Sequence, residues 1–371
     1  MFFLTWQGQA DINQCVLYVD FVKLEKNFYN LDPNLILATA EKNGFAVTGE
    51  MIQLNSYENR VFDIRLEDKT SIIAKFYRPG RWSRETLLDE HSFIAELKSE
   101  SIEVAGTLLL KNNSSVDLVD NIYYTFFEKV RGRLIQELSP AHFKKLGRWL
   151  ARLHNVGSRK EAQHRGFLGP TNDNKWPQLD KMLATVSPEM IGRYEEAAVK
   201  IFETLDERLD EFDFIRLHGD LHRGNILEDS NSEFVMVDFD DMINGPAVQD
   251  FWMLMPNVST DSPEFNYLIE SYSELREFPH EQLEIIPLLR GYRIITYAMW
   301  IMNRWSDPSF PRLFPDYGSY TGTSLRQTAG AARHSNPLGH QSGTKWRTRA
   351  GTRIVGASAQ KQTAIRSAPP R

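Results

Sequence analysis

The chain is predicted to be an α+β protein in two lobes: an antiparallel sheet with one inserted helix, followed by a mainly helical half. Three observations predict it. Between residues 46 and 77, three short runs rich in β-branched and aromatic residues are separated by turn signals. One amphipathic helical pattern interrupts the strands after the third run. Beyond Gly132 the apolar spacing changes to the three-and-four period of helices.

Asp32-Pro33 is a start signal, because Asp caps free N–H groups and Pro fits a first turn. It opens a helix over 34–43 that Gly44 ends. Strands follow over 46–54, 60–66 and 71–77, and Glu67, Asp68 and Lys69 turn the second into the third. A helix over 83–99 carries Leu87, Leu88, Phe93, Ile94 and Leu97. Strands at 107–111 and 121–127 complete the sheet. Ser139-Pro140 caps a helix through His154, with Phe143, Leu146, Leu150 and Leu153 on one face. A polar loop covers 156–176, and a helix covers 188–211. Short strands at 214–217 and 234–239 flank a polar segment. Helices at 248–255, 263–278 and 280–304 follow, with Tyr297, Trp300 and Trp305 read as core.

These elements place a first lobe at 29–130 and a second at 131–315. Residues 1–28 form an N-terminal extension without clear caps. Residues 316–371 have no hydrophobic period and are expected to be disordered, since little apolar surface is there to offset ordering entropy. A reading frame shifted near residue 317 would also produce such a basic, aperiodic ending.

Composition narrows the function class. The 316–371 segment holds nine Lys/Arg and one acidic residue, so the rest carries about −14 of the total −6. An acidic body is not a nucleic-acid footprint. Cys15 is the single cysteine, which excludes an intramolecular disulfide and a Cys-based zinc site and fits the cytosol. The apolar start, residues 1–6, lacks a basic region and does not read as a signal peptide. No run of about 18 apolar residues exists, so no membrane span is expected.

The polar segment carries the chemistry. It runs Leu217, His218, Gly219, Asp220, Leu221, His222, Arg223, Gly224, Asn225, and is followed by Val237, Asp238, Phe239, Asp240, Asp241. Two short strands around it bring Asp220, Asn225 and Asp238 to one cleft. Oxygens from Asn225 and Asp238 suit a hard, partly hydrated Mg²⁺ that completes its shell with phosphates and water. Asp220, five residues before Asn225, is placed to take a proton from an attacking hydroxyl. Phosphoryl transfer needs positioning and charge neutralisation more than covalent help.

The pattern His-x-Asp-x-x-x-x-Asn, then Val-Asp-Phe-Asp, resembles the aminoglycoside phosphotransferase and choline kinase branch of the protein kinase-like superfamily. Blocks at 55–62, 75–82, 218–227, 245–250 and 304–308 are collinear with its stress response kinases, which are bacterial Ser/Thr protein kinases. The resemblance covers about 29–315 and implies a protein kinase-like bilobal fold, ATP as phosphoryl donor and Mg²⁺. It assigns Asp220 as base and Asn225 and Asp238 as metal ligands. Lys75 would grip the nucleotide phosphates, Glu90 would pair with Lys75, and the turn holding Ser56 would cover the phosphates. Residues 127–130 would meet adenine, and Asp250 would tie down the catalytic loop. The phosphate-covering turn departs from the pattern by having no glycine. The basic group Arg78, Arg81 and Arg84 reads as a solvated face or as a steering patch for anions.

Three functions are compatible with these residues. The first is a monomeric, autophosphorylating Ser/Thr protein kinase of a stress response. The second is a kinase for an amino alcohol, sugar or aminoglycoside. The third is an inactive scaffold, which would not need to keep Lys75, the base and both metal ligands.

Overall fold

The computed structural model describes residues 28–255, 259–315 and 317. The extension before residue 28 and all of the tail except Tyr317 lie outside them. Helix α1 (Pro33–Lys42) starts where Asp32 accepts from Asn34 N at 2.9 Å, and Gly44 leaves it at φ 94°. It lays Ile36 and Ala40 on the first-lobe sheet. That sheet is antiparallel in the order β1 (Val47–Leu54), β2 (Arg60–Leu66), β3 (Ser71–Phe76), β5 (Ile122–Glu128), β4 (Asp117–Val119). The β2–β3 turn uses Lys69 at φ 70°. Helix α2 (Arg84–Ser99) follows β3, capped by Ser83.

One expected strand is corrected. Residues 107–111 border β5 through a single bridge, Thr107 to Phe127, and through Leu108 N to Phe126 O at 2.7 Å. The other half of that edge, from Ile122 to Tyr124, is taken by β4, so 107–111 cannot form a full ladder.

The second lobe is helical, as expected. Strand β6 (Arg133–Leu134) leads to α3 (Pro140–Gly157), α4 (Trp176–Leu183) and α5 (Ile191–Leu209). Strands β7 (Ile215–Leu217), β8 (Ile226–Glu228), β9 (Phe234–Met236) and β10 (Ile243–Gly245) come next. The two strands expected to flank the polar segment do not pair with each other: β7 pairs with β10, while β9 pairs with β8. Helices α6 (Val248–Leu254), α7 (Pro263–Ser273), α8 (Ile286–Asn303) and α9 (Phe310–Leu313) complete the lobe. The helix expected over 280–304 is divided: a tight 3₁₀ turn, His280–Ile285, precedes α8. Pro287 lacks an N–H, so it sits in a first turn rather than inside a longer α-helix. Among the described residues no helix is long and apolar enough to cross a membrane.

Each lobe has its own apolar core. Helix α2 puts Phe93, Ile94 and Leu97 into the second-lobe core and Leu87 against Tyr77 and Val116 of the first lobe, and ion pairs tie it to the second lobe. Arg216, almost fully buried, reaches Glu96 through Nη2 at 2.7 Å and donates to Val156 O at 2.9 Å. Burial raises the Glu96 carboxyl, but Arg216 and Lys160 more than offset that and hold it at about 2. A carboxyl depressed on folding stabilises above its ordinary 4.5, and this contribution is lost as pH falls toward 2. Glu96 is partly solvated, so the effect is about 1 kcal/mol. Urea unfolding at about pH 6 and about pH 3 checks this: wild type should lose about 1 kcal/mol more than Glu96→Gln. Equal losses would show that the pair does not act.

Candidate active site

The polar loop is held from below by Asp250 on α6. Its fully buried carboxylate accepts from His218 N at 3.0 Å and from Gly219 N at 2.9 Å. Asp250 thus grips the loop backbone in the way the resemblance implies. His154 Nε2 lies 3.3 Å from the same carboxylate, and burial holds that imidazole below its ordinary pKa although Asp250 pulls it up. Gly219 turns at φ 83°, and a Cβ there would meet Asp241 O at 2.1 Å, so only glycine fits. His218 Nε2 donates to Val237 O at 3.1 Å, linking the loop to the segment after β9.

The β8–β9 hairpin brings Asn225 and Asp238 close together. Ile226 opposes Met236, and Val237 N donates to Asn225 O at 3.0 Å. Asn225 Nδ2 donates to Asp220 O at 2.9 Å, which orients the amide and leaves its Oδ1 as the atom for a cation. Asp238 is left-handed at φ 65°, a conformation that Asp tolerates better than most residues. Among the described residues no group of three or more His, Cys, Asp or Glu could hold a metal by itself. An Asn oxygen plus one carboxylate is therefore a donor set that fits a hard cation bound largely by substrate and water.

Lys75, buried on β3, places Nζ 2.9 Å from Asp238 Oδ1. The same Nζ lies 3.3 Å from Asp240 Oδ1, an ion pair without hydrogen-bond geometry. Burial disfavours the ammonium, but Asp238 and then Asp240 outweigh it and raise its pKa well above the ordinary value. Asp240 is buried too. Desolvation pushes its carboxyl up, yet Arg81 and Lys75 hold it well below the usual range. It accepts from Arg81 and, at 3.1 Å, from Asn59 Nδ2.

The expected pairing of Glu90 with Lys75 is corrected. Glu90, fully buried on α2, takes Arg165 Nη2 at 2.7 Å. Arg165 Nη1 also donates to Asp240 O at 2.6 Å. The reason is competition: Asp238 and Asp240 already neutralise Lys75, while Arg165 supplies the cation that a buried carboxylate needs. Burial pushes the Glu90 carboxyl up to about 7, against the pull of Lys75 and Arg165. At the lobe connection, Glu128 N already donates to Gly106 O at 2.9 Å.

Ser56 lies in the glycine-free turn between β1 and β2. Its hydroxyl accepts from Asn59 N at 3.2 Å and keeps a proton to donate. The turn is fastened to the second lobe. Glu58 accepts from Arg304 Nε at 2.5 Å, Arg304 Nη2 at 2.7 Å and Trp300 Nε1 at 2.6 Å. Arg78 Nη2 bonds Asp307 at 2.8 Å and donates to Tyr57 O at 3.3 Å. Arg78 and Arg81 are therefore structural cations, while Arg84 donates to Ser114 on an exposed edge. The 304–308 block signalled this fastening, because it matched without an assigned role.

Asp220 has a partner that no motif indicated. Arg293 Nη2, from α8, donates to Asp220 Oδ1 at 2.7 Å. His222 Nε2 stands 3.6 Å from Asp220 Oδ2. Burial pushes the Asp220 carboxyl up, but Arg293 first, then His222 and His218, hold it below its ordinary value. Arg290 and Arg293, two arginines in an otherwise uncharged, largely apolar helical stretch, were the available signal. Lys75 thus contacts Asp238 between the lobes, and Asn225 is bonded both to Val237, next to Asp238, and to the Asp220 backbone. Ser56 adjoins this group through Asn59, and Glu90 adjoins it through Arg165.

Glu58→Gln should free Arg304, Arg78 and Arg81 from their shared counter-charge, at about 2–3 kcal/mol. The turn then loosens, and Mg·ATP affinity should fall roughly tenfold. Urea unfolding and nucleotide titration measure the two effects, and an unchanged affinity would mean that the turn does not roof the nucleotide.

Comparison with known proteins agrees with this geometry. A model of the phosphotransferase enzyme family matches residues 50–282. Stress response kinase A of Escherichia coli (strain K12) is 34% identical over 307 residues, covering 81% of this chain and 92% of the relative. Serine/threonine protein kinase RdoA of Salmonella typhimurium is 34% identical over 321 residues, covering 84% and 96%. Among solved structures, an amicoumacin kinase, hAmiN, in complex with AMP-PNP, Ca²⁺ and Ami superposes with TM-score 0.62 at 20% identity, covering 83% of this chain and 93% of that one. A microcompartment-associated aminopropanol kinase superposes with TM-score 0.55 at 19% identity, covering 81% and 98%. These two share the protein kinase-like fold. The family match over more than half of the chain, with relatives at 34% identity, shows that this protein belongs to the phosphotransferase enzyme family and is a kinase by descent.

Proposed function

We propose that the protein is a cytosolic, monomeric Ser/Thr protein kinase of a stress response. It transfers the γ-phosphoryl group of ATP to hydroxyls of proteins, itself included, with Mg²⁺. The observation that carries this reading is the 2.9 Å contact between Lys75 Nζ and Asp238 Oδ1. It supports the reading because the cation proposed to grip phosphates and the carboxylate proposed to bind metal lie side by side between the lobes. The full-length relatives named as stress response and Ser/Thr kinases support the choice of acceptor.

Asn225 Oδ1 and the Asp238 carboxylate would hold Mg²⁺. Bound there, such an ion would supply charge neutralisation for the nucleotide phosphates. Lys75 exchanges Asp238 and Asp240 for nucleotide phosphates. Its lasting charge makes that exchange one of partners rather than of protons. Ser56 and the backbone of its turn cover the phosphates. Glu90 acts at a distance, by adding negative charge near Lys75 and by setting Arg165 against the Asp240 backbone. Asp220 takes the acceptor hydroxyl proton as the oxygen–phosphorus bond forms and the bond to ADP breaks.

Intact-mass detection of a generic protein acceptor, with Mg·ATP, tests the reading. Asp220→Ala should lower turnover about a thousandfold and retain Mg·ATP binding. A wild-type rate would remove Asp220 as base. Asp238→Ala should weaken Mg·ATP binding; unchanged affinity at every Mg²⁺ concentration would count against its role. Transfer to small alcohols alone would overturn the choice of acceptor.

A further inference from the structure

An acceptor hydroxyl has to reach an oxygen of Asp220 within about 2.6–3.2 Å. One of those oxygens is already engaged by Arg293 Nη2 at 2.7 Å, and the other faces His222 Nε2 at 3.6 Å. The acceptor therefore arrives at Oδ2, beside the Arg293 guanidinium that Oδ1 holds. Arg293 is one-third exposed, and the Asp220 bond is the one hydrogen bond of its guanidinium among the described residues. A guanidinium has five donors, so most of its N–H groups remain for a ligand.

The neighbouring charges decide which ligand. Asp241, the other carboxylate close to Arg293, is bound by Arg81. Arg81 is also held by Asp240 and is mostly buried. A hydroxyl at Oδ2 leaves Arg293 on Oδ1, so Arg293 is the partly exposed cation beside the acceptor with N–H groups to spare. An ammonium acceptor would meet it as a like charge, while a carboxylate or phosphate would take the spare N–H groups in bidentate geometry.

We propose that Arg293 is the specificity-determining residue of the acceptor subsite and selects hydroxyls that carry an anionic group beside them. In the proteins that the proposed function invokes, these are Ser or Thr residues flanked by Asp or Glu. This deepens that reading and rests on it for the protein context only. The charge selection itself belongs to the cleft.

Two otherwise identical Ser peptides, one flanked by Asp and one by Lys, are compared as acceptors with wild type, Arg293→Gln and Arg293→Lys. Glycerate and ethanolamine serve as a small-molecule pair of the same contrast. Wild type should favour the acidic peptide by about tenfold or more in kcat/KM, Gln should bring the ratio near one, and Lys should retain most of it. The ratio is internal to each variant, so a general loss of activity or of folded protein does not imitate the result. A wild-type ratio near one, or a ratio unchanged by Gln, overturns the proposal. Binding of the same peptides with Ala in place of Ser, read by fluorescence anisotropy, gives the preference without turnover and must follow the same order. Glycerate preferred over ethanolamine with no peptide phosphorylated would uphold Arg293 and reject the protein-kinase reading. Peptides phosphorylated without regard to charge would do the reverse.

Discussion

A carboxylate buried between two lobes has to be met by cations and donors from both, and Asp240 is that carboxylate. Lys75 reaches it from the sheet, Arg81 from the segment after β3, and Asn59 from the glycine-free turn. Arg165 reaches its backbone oxygen from the second lobe and carries Glu90 of α2 with it. Removing Lys75, Arg81 or Arg165 leaves a buried charge short of neutralisation, which costs several kcal/mol, whereas removing Asn59 costs a hydrogen bond. The position of Lys75 relative to Asp238 follows from this cluster, and so does the placing of the turn above the cleft.

The second constraint is the loop backbone. The loop that carries Asp220 and Asn225 is stiffened by partners above and below it as well as by its own side chains. Its stiffness comes from Asp250 below, from Gly219 pressed against Asp241 O, and from the bond between Asn225 Nδ2 and Asp220 O. The sheet opposite carries Lys75 in register across from Val61 and Thr125, in the middle of an antiparallel ladder.

Much of the fold was legible because its signals are local. Asp32-Pro33, Ser83 and Ser139-Pro140 begin helices where caps are expected. The turn at Glu67, Asp68 and Lys69 joins β2 and β3. The spacing of Asp220, Asn225 and Asp238 survives folding because one loop and one hairpin carry all three. What was not legible depends on distant partners. Whether 107–111 or 117–119 completes the edge of β5 is decided by the chain path, not by strand propensity. The partners of Glu90 and Asp220, Arg165 and Arg293, lie 75 and 73 positions away in the sequence, where no periodicity links them. Arg78 looked like surface charge because it clusters with Arg81 and Arg84 in sequence, yet it is buried and pairs with Asp307, 229 positions on.

The fastening of the turn by Glu58, Arg304, Arg78 and Asp307 also bears on ionic strength. Glu58 and Asp307 have side chains 12% and 1% exposed, whereas Arg148 and Glu274 on the surface are 45% and 54% exposed. Dissolved ions weaken pairs they can surround and leave enclosed ones largely intact. Concentrated salt therefore strips this kinase of its peripheral ion pairs well before it separates the two halves of the molecule.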